Sequence, residues 1–161
     1  MHEPPCFRIV PVSTANDLAS TVTLFRAYAS SLDIDLSYQD FEAEMEALPG
    51  KYAPPAGELL LARYSNGTPV GCVGLRPIEP HGCCEMKRLY VLPTFRGDAL
   101  GRHLIEQVIS EARSRGYTRM RLDTNPPSMQ SAVALYRKFG FVQLSNVEDP
   151  VPGFLYMELK F

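Results

Sequence analysis

Residues 85–116, EMKRLYVLPTFRGDALGRHLIEQVISEARSRG, change character twice. The run through Leu89, Tyr90, Val91 and Leu92 is apolar and strand-like. From 100 to 115, Leu100, Leu104, Ile105, Val108, Ile109 and Ala112 recur at helical spacing, and Gly116 stands where a helix stops. Between the two lies FRGDALGRHL (95–104), with two arginines and two glycines set four apart. A helix that opens here leaves its first N–H groups unpaired at 97–102 and points the positive end of its dipole at the same place. That is an anion site if a ligand can approach the backbone. Gly97 and Gly101 permit the approach, and Arg96 and Arg102 add charge at the rim. A strand-to-helix turn whose glycines only relieve crowding fits the same residues.

Outward from this unit the chain alternates strands and helices. CFRIVPV (6–12) reads as a strand, and Ser13–Thr14 can cap a helix carrying Leu18, Val22, Phe25 and Tyr28. Ser37–Asp40 has the form of a capping box with Asp in the place of Glu, ahead of a short helix with Phe41, Met45 and Leu48. Residues 51–57 read as a loop. ELLLARY, the Asn66–Gly67 turn and TPVGCVGLRPI predict a hairpin, and CCEMKRLYVL continues it as a central strand. TRMRLD (118–123) alternates as a strand, SMQSAVALYRKFG (128–140) is helical, and FVQL and FLYMELKF supply two more strands. The order predicts a mixed sheet with helices packed on it, in a single domain spanning 1–161 with no repeat or linker.

Composition narrows the function classes. With 161 residues, 45% of them hydrophobic, the chain can bury a full core. A net charge of −2 and a pI near 5.9 give no overall field for nucleic acid or acidic membrane. The first residues, MHEPPCFRIV, form no signal peptide and no stretch reaches membrane-spanning length, so the expected setting is cytoplasmic. Cys6, Cys72, Cys83 and Cys84 show no CxxC spacing, and His2, His81 and His103 complete no ligand pattern. The cysteines are expected to be reduced and mostly buried, with no metal.

Two nucleotide motifs are excluded by spacing, since the chain has neither G-x-G-x-x-G nor G-x-x-x-x-G-K-[ST]. The pattern that does fit is more specific. The stretch from Glu85 through TRMRLDT, followed by SAVALYRKFGF, resembles the GNAT superfamily of N-acetyltransferases: first the strand, R/Q-x-x-G-x-G/A loop and helix, then the A-x-x-L-Y-x-x-x-G-F segment. The likeness covers residues 83–144 closely. It implies the GNAT-like α/β fold, a central mixed sheet of six to seven strands with about four helices, and acetyl-CoA as co-substrate. Two positions depart from the pattern: Ala99 stands where the motif's first glycine is expected, and Met129 where many members carry asparagine.

The resemblance also assigns roles. Arg96, Gly97, Asp98, Ala99, Leu100, Gly101 and Arg102 would hold the diphosphate, and the backbone of Leu89, Tyr90 and Val91 would pair with the pantetheine arm and meet the acyl oxygen. Acetyl transfer needs a neutral amine, whereas an alkylammonium titrates near ~10.4, so a base is required. Glu85 is the candidate base; a strand carboxylate paired with Lys87 or Arg88 is the alternative. Tyr136 resembles the family's tyrosine that protonates the departing sulfur; an amphipathic core tyrosine is its alternative. No cysteine or serine sits in a nucleophile–base arrangement, which favours direct attack in a ternary complex over a covalent route.

The acceptor is less legible. A primary amine of a small molecule, or second to that of a protein, is expected, with a non-catalytic acyl-CoA-binding module as the competing reading. Glu42, Glu44, Glu46, Glu79, Glu148 and Asp149 tint the presumed acceptor segments acidic, which would suit a cationic amine unless they are merely solvated. Homodimerisation through the sheet edges or the final strand is left open.

Overall fold

The computed structural model describes residues 6–32, 40–96, 99–124 and 130–161. The strands are β1 (Phe7–Pro11), β2 (Glu58–Tyr64), β3 (Pro69–Ile78), β4 (Cys83–Val91), β5 (Arg119–Thr124), β6 (Val142–Gln143) and β7 (Leu155–Lys160). The helices are α1 (Ala15–Ser31), α2 (Phe41–Ala47), α3 (Leu100–Ser114) and α4 (Gln130–Lys138). Seven strands form one sheet in the order β1-β2-β3-β4-β5-β7-β6. Every neighbouring pair is antiparallel except β4 and β5. The predicted element order and the mixed sheet with helices on both faces are therefore observed.

Strand alternation divides the core in two. Leu60, Val73, Leu75, Cys84, Met86, Met120, Leu122 and Met157 point to one face, where α3 and α4 cover them. Leu59, Leu61, Cys72 and Tyr90 point to the other, against Leu24 and Phe25 of α1 and Phe41 and Met45 of α2. All six α3 residues read as a stripe are buried. Each large aliphatic among them contributes about 1.5–3 kcal/mol by leaving water. At Gly71 a Cβ would lie 3.1–3.2 Å from Leu104 and Leu100, so the bare backbone of β3 lets α3 dock closely.

Local signals explain most boundaries. The Asp17 N–H donates to the Thr14 hydroxyl at 3.0 Å, the expected cap of α1. Gly116 adopts φ +84 after α3, as a helix stop requires. The capping box ahead of α2 is not seen in that form: Ser37, Tyr38 and Gln39 lie outside the described residues, and Asp40 is a left-handed N-cap with no side-chain cap bond. Residues 51–57 are not wholly a loop. Gly50–Tyr52 is a 3-10 turn that drives the Tyr52 ring into the core beneath α1, 2% exposed. FVQL shortens to the two-residue β6, because Phe141 turns into the core while Val142 and Gln143 are exposed.

Candidate active site

The site begins where β4 and β5 part. Their parallel register runs Cys83–Arg119, Cys84–Met120 and Glu85–Arg121, then stops. On its other edge β4 carries a bulge: Cys72 pairs with Tyr90 but Gly74 with Lys87, so β4 spends one more residue than β3. Arg88 takes up the excess with φ 61, a left-handed conformation uncommon for a side-chain-bearing residue. The bulge adds twist and turns β4 away from β5. Because β5 is held by β7 over its whole length, the two parallel strands open into a slot.

Side chains from both faces line this slot: Tyr28, Lys87, Arg88 and Asp123 with Met86, Leu89, Leu122 and Tyr136. Tyr136 comes from α4 on one side of the sheet and Tyr28 from α1 on the other, so side chains from both layers meet at the slot. Burial holds the Tyr136 phenol above the usual tyrosine range, with Tyr28 and Asp123 adding to the effect. It therefore keeps its proton throughout the neutral range. Lys87, 7% exposed, lies 3.8 Å from Asp123, and burial pulls its ammonium below the usual lysine range against the attraction of that carboxylate.

Glu85 lies at the vertex of the slot, on the α1/α2 face. Its partner is neither Lys87 nor Arg88 but Arg76, directly opposite on β3, with Nε at 2.9 Å and Nη2 at 2.7 Å from Oε1. Arg88 instead forms a two-point pair with Glu44 of α2 at 3.1 and 3.3 Å, beneath the rings of Tyr28 and Phe41. Two acidic residues of α2 are thus engaged, Glu42 with Arg26 at 2.8 Å and Glu44 with Arg88. Among the described residues, one buried side-chain oxygen has no hydrogen-bond partner, the Tyr52 hydroxyl.

At the start of α3, Ala99 is the N-cap, with φ 60, ψ 14 and no side-chain cap bond. The glycine-like position is therefore occupied by alanine in a left-handed conformation, which costs about 1–2 kcal/mol. Gly101 has no need of its small size within the chain, since the nearest atom to an added Cβ is Leu135 Cδ2 at 3.9 Å. The open space at Gly101 and the uncapped first turn suit a diphosphate. Leu100 points its side chain into the core, so only its backbone can face a ligand. Arg96 Nε donates to the Val91 carbonyl at 3.0 Å and its guanidinium lies 5.6 Å from the Tyr90 ring centre. Arg102 is exposed and 3.8 Å from Glu106. Gly97 and Asp98, like Met129, lie outside the described residues.

A family model described as the acetyltransferase (GNAT) family matches residues 20–141. The chain belongs to the GNAT acetyltransferase family. It is 38% identical, over 161 aligned residues, to an uncharacterized N-acetyltransferase of Schizosaccharomyces pombe, covering 99% of this chain and 98% of that protein. It is 28% identical to an uncharacterized N-acetyltransferase of Dictyostelium discoideum, over 85% of this chain and 92% of that protein. A GNAT-family acetyltransferase structure from Staphylococcus aureus superposes with a TM-score of 0.80, covering 96% and 98% of the two chains, and at 17% identity shows the shared fold.

In this GNAT chain Cys72, Cys83 and Cys84 are buried free thiols and Cys6 is an exposed one. Among the described residues no helix is long and apolar enough to cross a membrane, and no three His, Cys, Asp or Glu side chains gather as a metal site. Sequence reasoning missed Arg76, Tyr52 and Arg121 as neighbours of the site. The signal for Arg76 was present: it precedes Pro77 by one and Glu85 by nine, a separation that a hairpin closed at Pro80–Gly82 places in direct register.

Proposed function

We propose that this protein is a single-domain, acetyl-CoA-dependent N-acetyltransferase that acetylates a primary amine by direct attack in a ternary complex. The observation that carries the reading is the end of β4–β5 pairing at Glu85–Arg121, beyond which a slot lined by Tyr28, Lys87, Asp123 and Tyr136 opens, together with the uncapped N-terminus of α3. Acetyl-CoA supplies the activated acetyl group. The first-turn amides of α3 from Ala99 to Arg102, with Arg96, Gly97 and Asp98, bind its diphosphate. The β4 edge facing the slot, from Leu89 to Val91, pairs with the pantetheine arm as an added strand would, and a main-chain N–H there receives the acyl oxygen.

Glu85 accepts the proton of the attacking ammonium or amine, directly or through a water, and Arg76 holds its carboxylate in position. Tyr136 gives its phenolic proton to the departing sulfur; a phenol held above its ordinary range stays protonated and available at neutral pH. Three buried free thiols suit a reducing, cytoplasmic setting. Thiol release from acetyl-CoA, followed across a panel of amines, tests the reading. Turnover that falls in Glu85→Gln and Tyr136→Phe supports it. A chain that binds acetyl-CoA normally and turns over no amine is instead a non-catalytic acyl-CoA-binding module.

A further inference from the structure

Among the described residues, the apolar cluster on the α1/α2 face of the sheet draws on β2, β3 and β4 and includes no residue of β5, β6 or β7. On the part of this face over β5 and β7 lie Arg119, Arg121 and Asp123 of β5 with Tyr156, Glu158 and Lys160 of β7, since Met120, Leu122, Met157 and Leu159 point to the other side. This polar surface, half-buried at the two arginines and buried at Glu158, borders Glu85. Register joins Arg76 to Glu85, Glu85 to Arg121 and Arg121 to Glu158, so charges alternate across β3, β4, β5 and β7 in one row.

That row balances, but the neighbouring row through Arg119 and Lys160 adds two cations and no carboxylate. Glu158, 5% exposed, is shared by Arg121 at 2.8 Å and Arg119 at 3.8 Å. One carboxylate therefore answers two guanidinium groups, and Lys160, paired in register with Arg119, adds a third cation. Asp123 is directed to Lys87 instead. Both arginines remain reachable, with 40% and 34% of their side chains exposed. Two of the three carboxylates of α2, Glu42 and Glu44, are bonded to Arg26 and Arg88.

We infer that the acceptor carries a carboxylate beside its amine, and that Arg121 and Arg119 bind that carboxylate while the amine faces Glu85. The inference rests on the acetyl-transfer reading above and adds the acceptor's class, an amino-acid-like molecule. Glu85 and Arg121 are register neighbours on adjacent strands and rise from the same face of the sheet, so one molecule with an amine and a carboxylate can meet both. A planar guanidinium receives a carboxylate through two parallel N–H donors, and the surplus of cations supplies the charge for it. The same surplus repels an acceptor with a second ammonium group.

Equilibrium binding tests this without requiring turnover. Calorimetry with saturating coenzyme A compares the N-acetyl derivatives of glycine, alanine, serine, phenylalanine and glutamate with the carboxamide of each. At least one acid binds about tenfold or more tightly than its amide, the margin of one charge-assisted hydrogen bond. Arg121→Met removes that margin and leaves the coenzyme A affinity unchanged. Arg119→Met, which keeps the 2.8 Å bond between Arg121 and Glu158, narrows it and serves if the first variant does not fold. Acids and amides that bind equally, no binding by any acid, or tighter binding of N-acetylethylenediamine overturns the inference. Failure of acetyl transfer itself shows separately, as binding without thiol release.

Discussion

The guanidinium of Arg76 reaches across from β3 to grip a single oxygen, Oε1, of Glu85 on β4. Both side chains are largely buried, at 24% and 15% exposure, so the pair fixes the carboxylate at the vertex of the slot. In Glu85→Gln the amide keeps the size but not the basicity. Its kcat is expected to fall by about 10²–10³-fold with acetyl-CoA affinity retained. Steady-state thiol release alongside calorimetry checks both halves, and a loss of only a few fold would confine Glu85 to a structural role.

Tyr136→Phe removes the proton that the sulfur is to receive while keeping the ring that meets Phe141 edge-on at 5.8 Å. A drop of about 10²-fold in kcat is expected, with the thermal midpoint nearly unchanged. Because the wild-type phenol is held above its ordinary range, its activity should show no loss through Tyr136 ionisation up to about pH 10. A pH–rate profile resolves this.

Ala99 holds φ 60 without glycine's freedom. Ala99→Gly relieves about 1 kcal/mol of backbone strain, which for a chain of this length raises Tm by about 2–4 °C. It also takes a methyl group away from the proposed diphosphate site, so acetyl-CoA affinity should rise rather than fall. Calorimetric melting and titration measure the two effects on one variant.

The Tyr52 hydroxyl is buried without a partner, yet the ring is wedged against Gly74, where an added Cβ would lie 2.7 Å away. Tyr52→Phe keeps the wedge and removes the orphaned group. Stability should increase, by about 1 kcal/mol, since an unsatisfied buried hydroxyl costs about 1–3 kcal/mol. Urea unfolding gives the sign directly.

Burial pushes the Cys84 thiol up from 9.0 to about 12, and raises Cys72 too. A folded-state value above the unfolded one means stability that is complete below about pH 9 and is lost as the pH climbs toward the folded value. Each such thiol costs about 1.4 kcal/mol per pH unit across that window. Urea midpoints at about pH 8 and about pH 10.5 should therefore diverge, and Cys84→Ala should make the dependence shallower. A slope that does not change would place the alkaline loss elsewhere.

Much of the fold could be read from residue order. The α3 stripe, the Thr14 cap, the Asn66–Gly67 hairpin and the alternation in β5 and β7 are local patterns, each decided by neighbours within a few positions. The Leu89–Gly101 segment and ALYRKFGF likewise carried the family. What could not be read were contacts set by register between distant strands. Arg76 rather than Lys87 or Arg88 meets Glu85, because Arg76 is its register partner on β3, while Lys87 is drawn to Asp123 and the bulged Arg88 to Glu44 of α2. Tyr52 became core because two core layers needed a ring over Gly74, a demand that no local sequence expresses.

By itself, then, the sequence determined the strand and helix on either side of that loop, the order of elements and, through two motifs, the family, since these depend on periodicity, capping and motif spacing. The tertiary structure alone decided where β4 and β5 separate, which charges lie side by side at that opening, and which arginines are left with too few carboxylates. Those outcomes depend on strand register and burial, and both arise only when residues far apart in the chain are brought within a few ångströms.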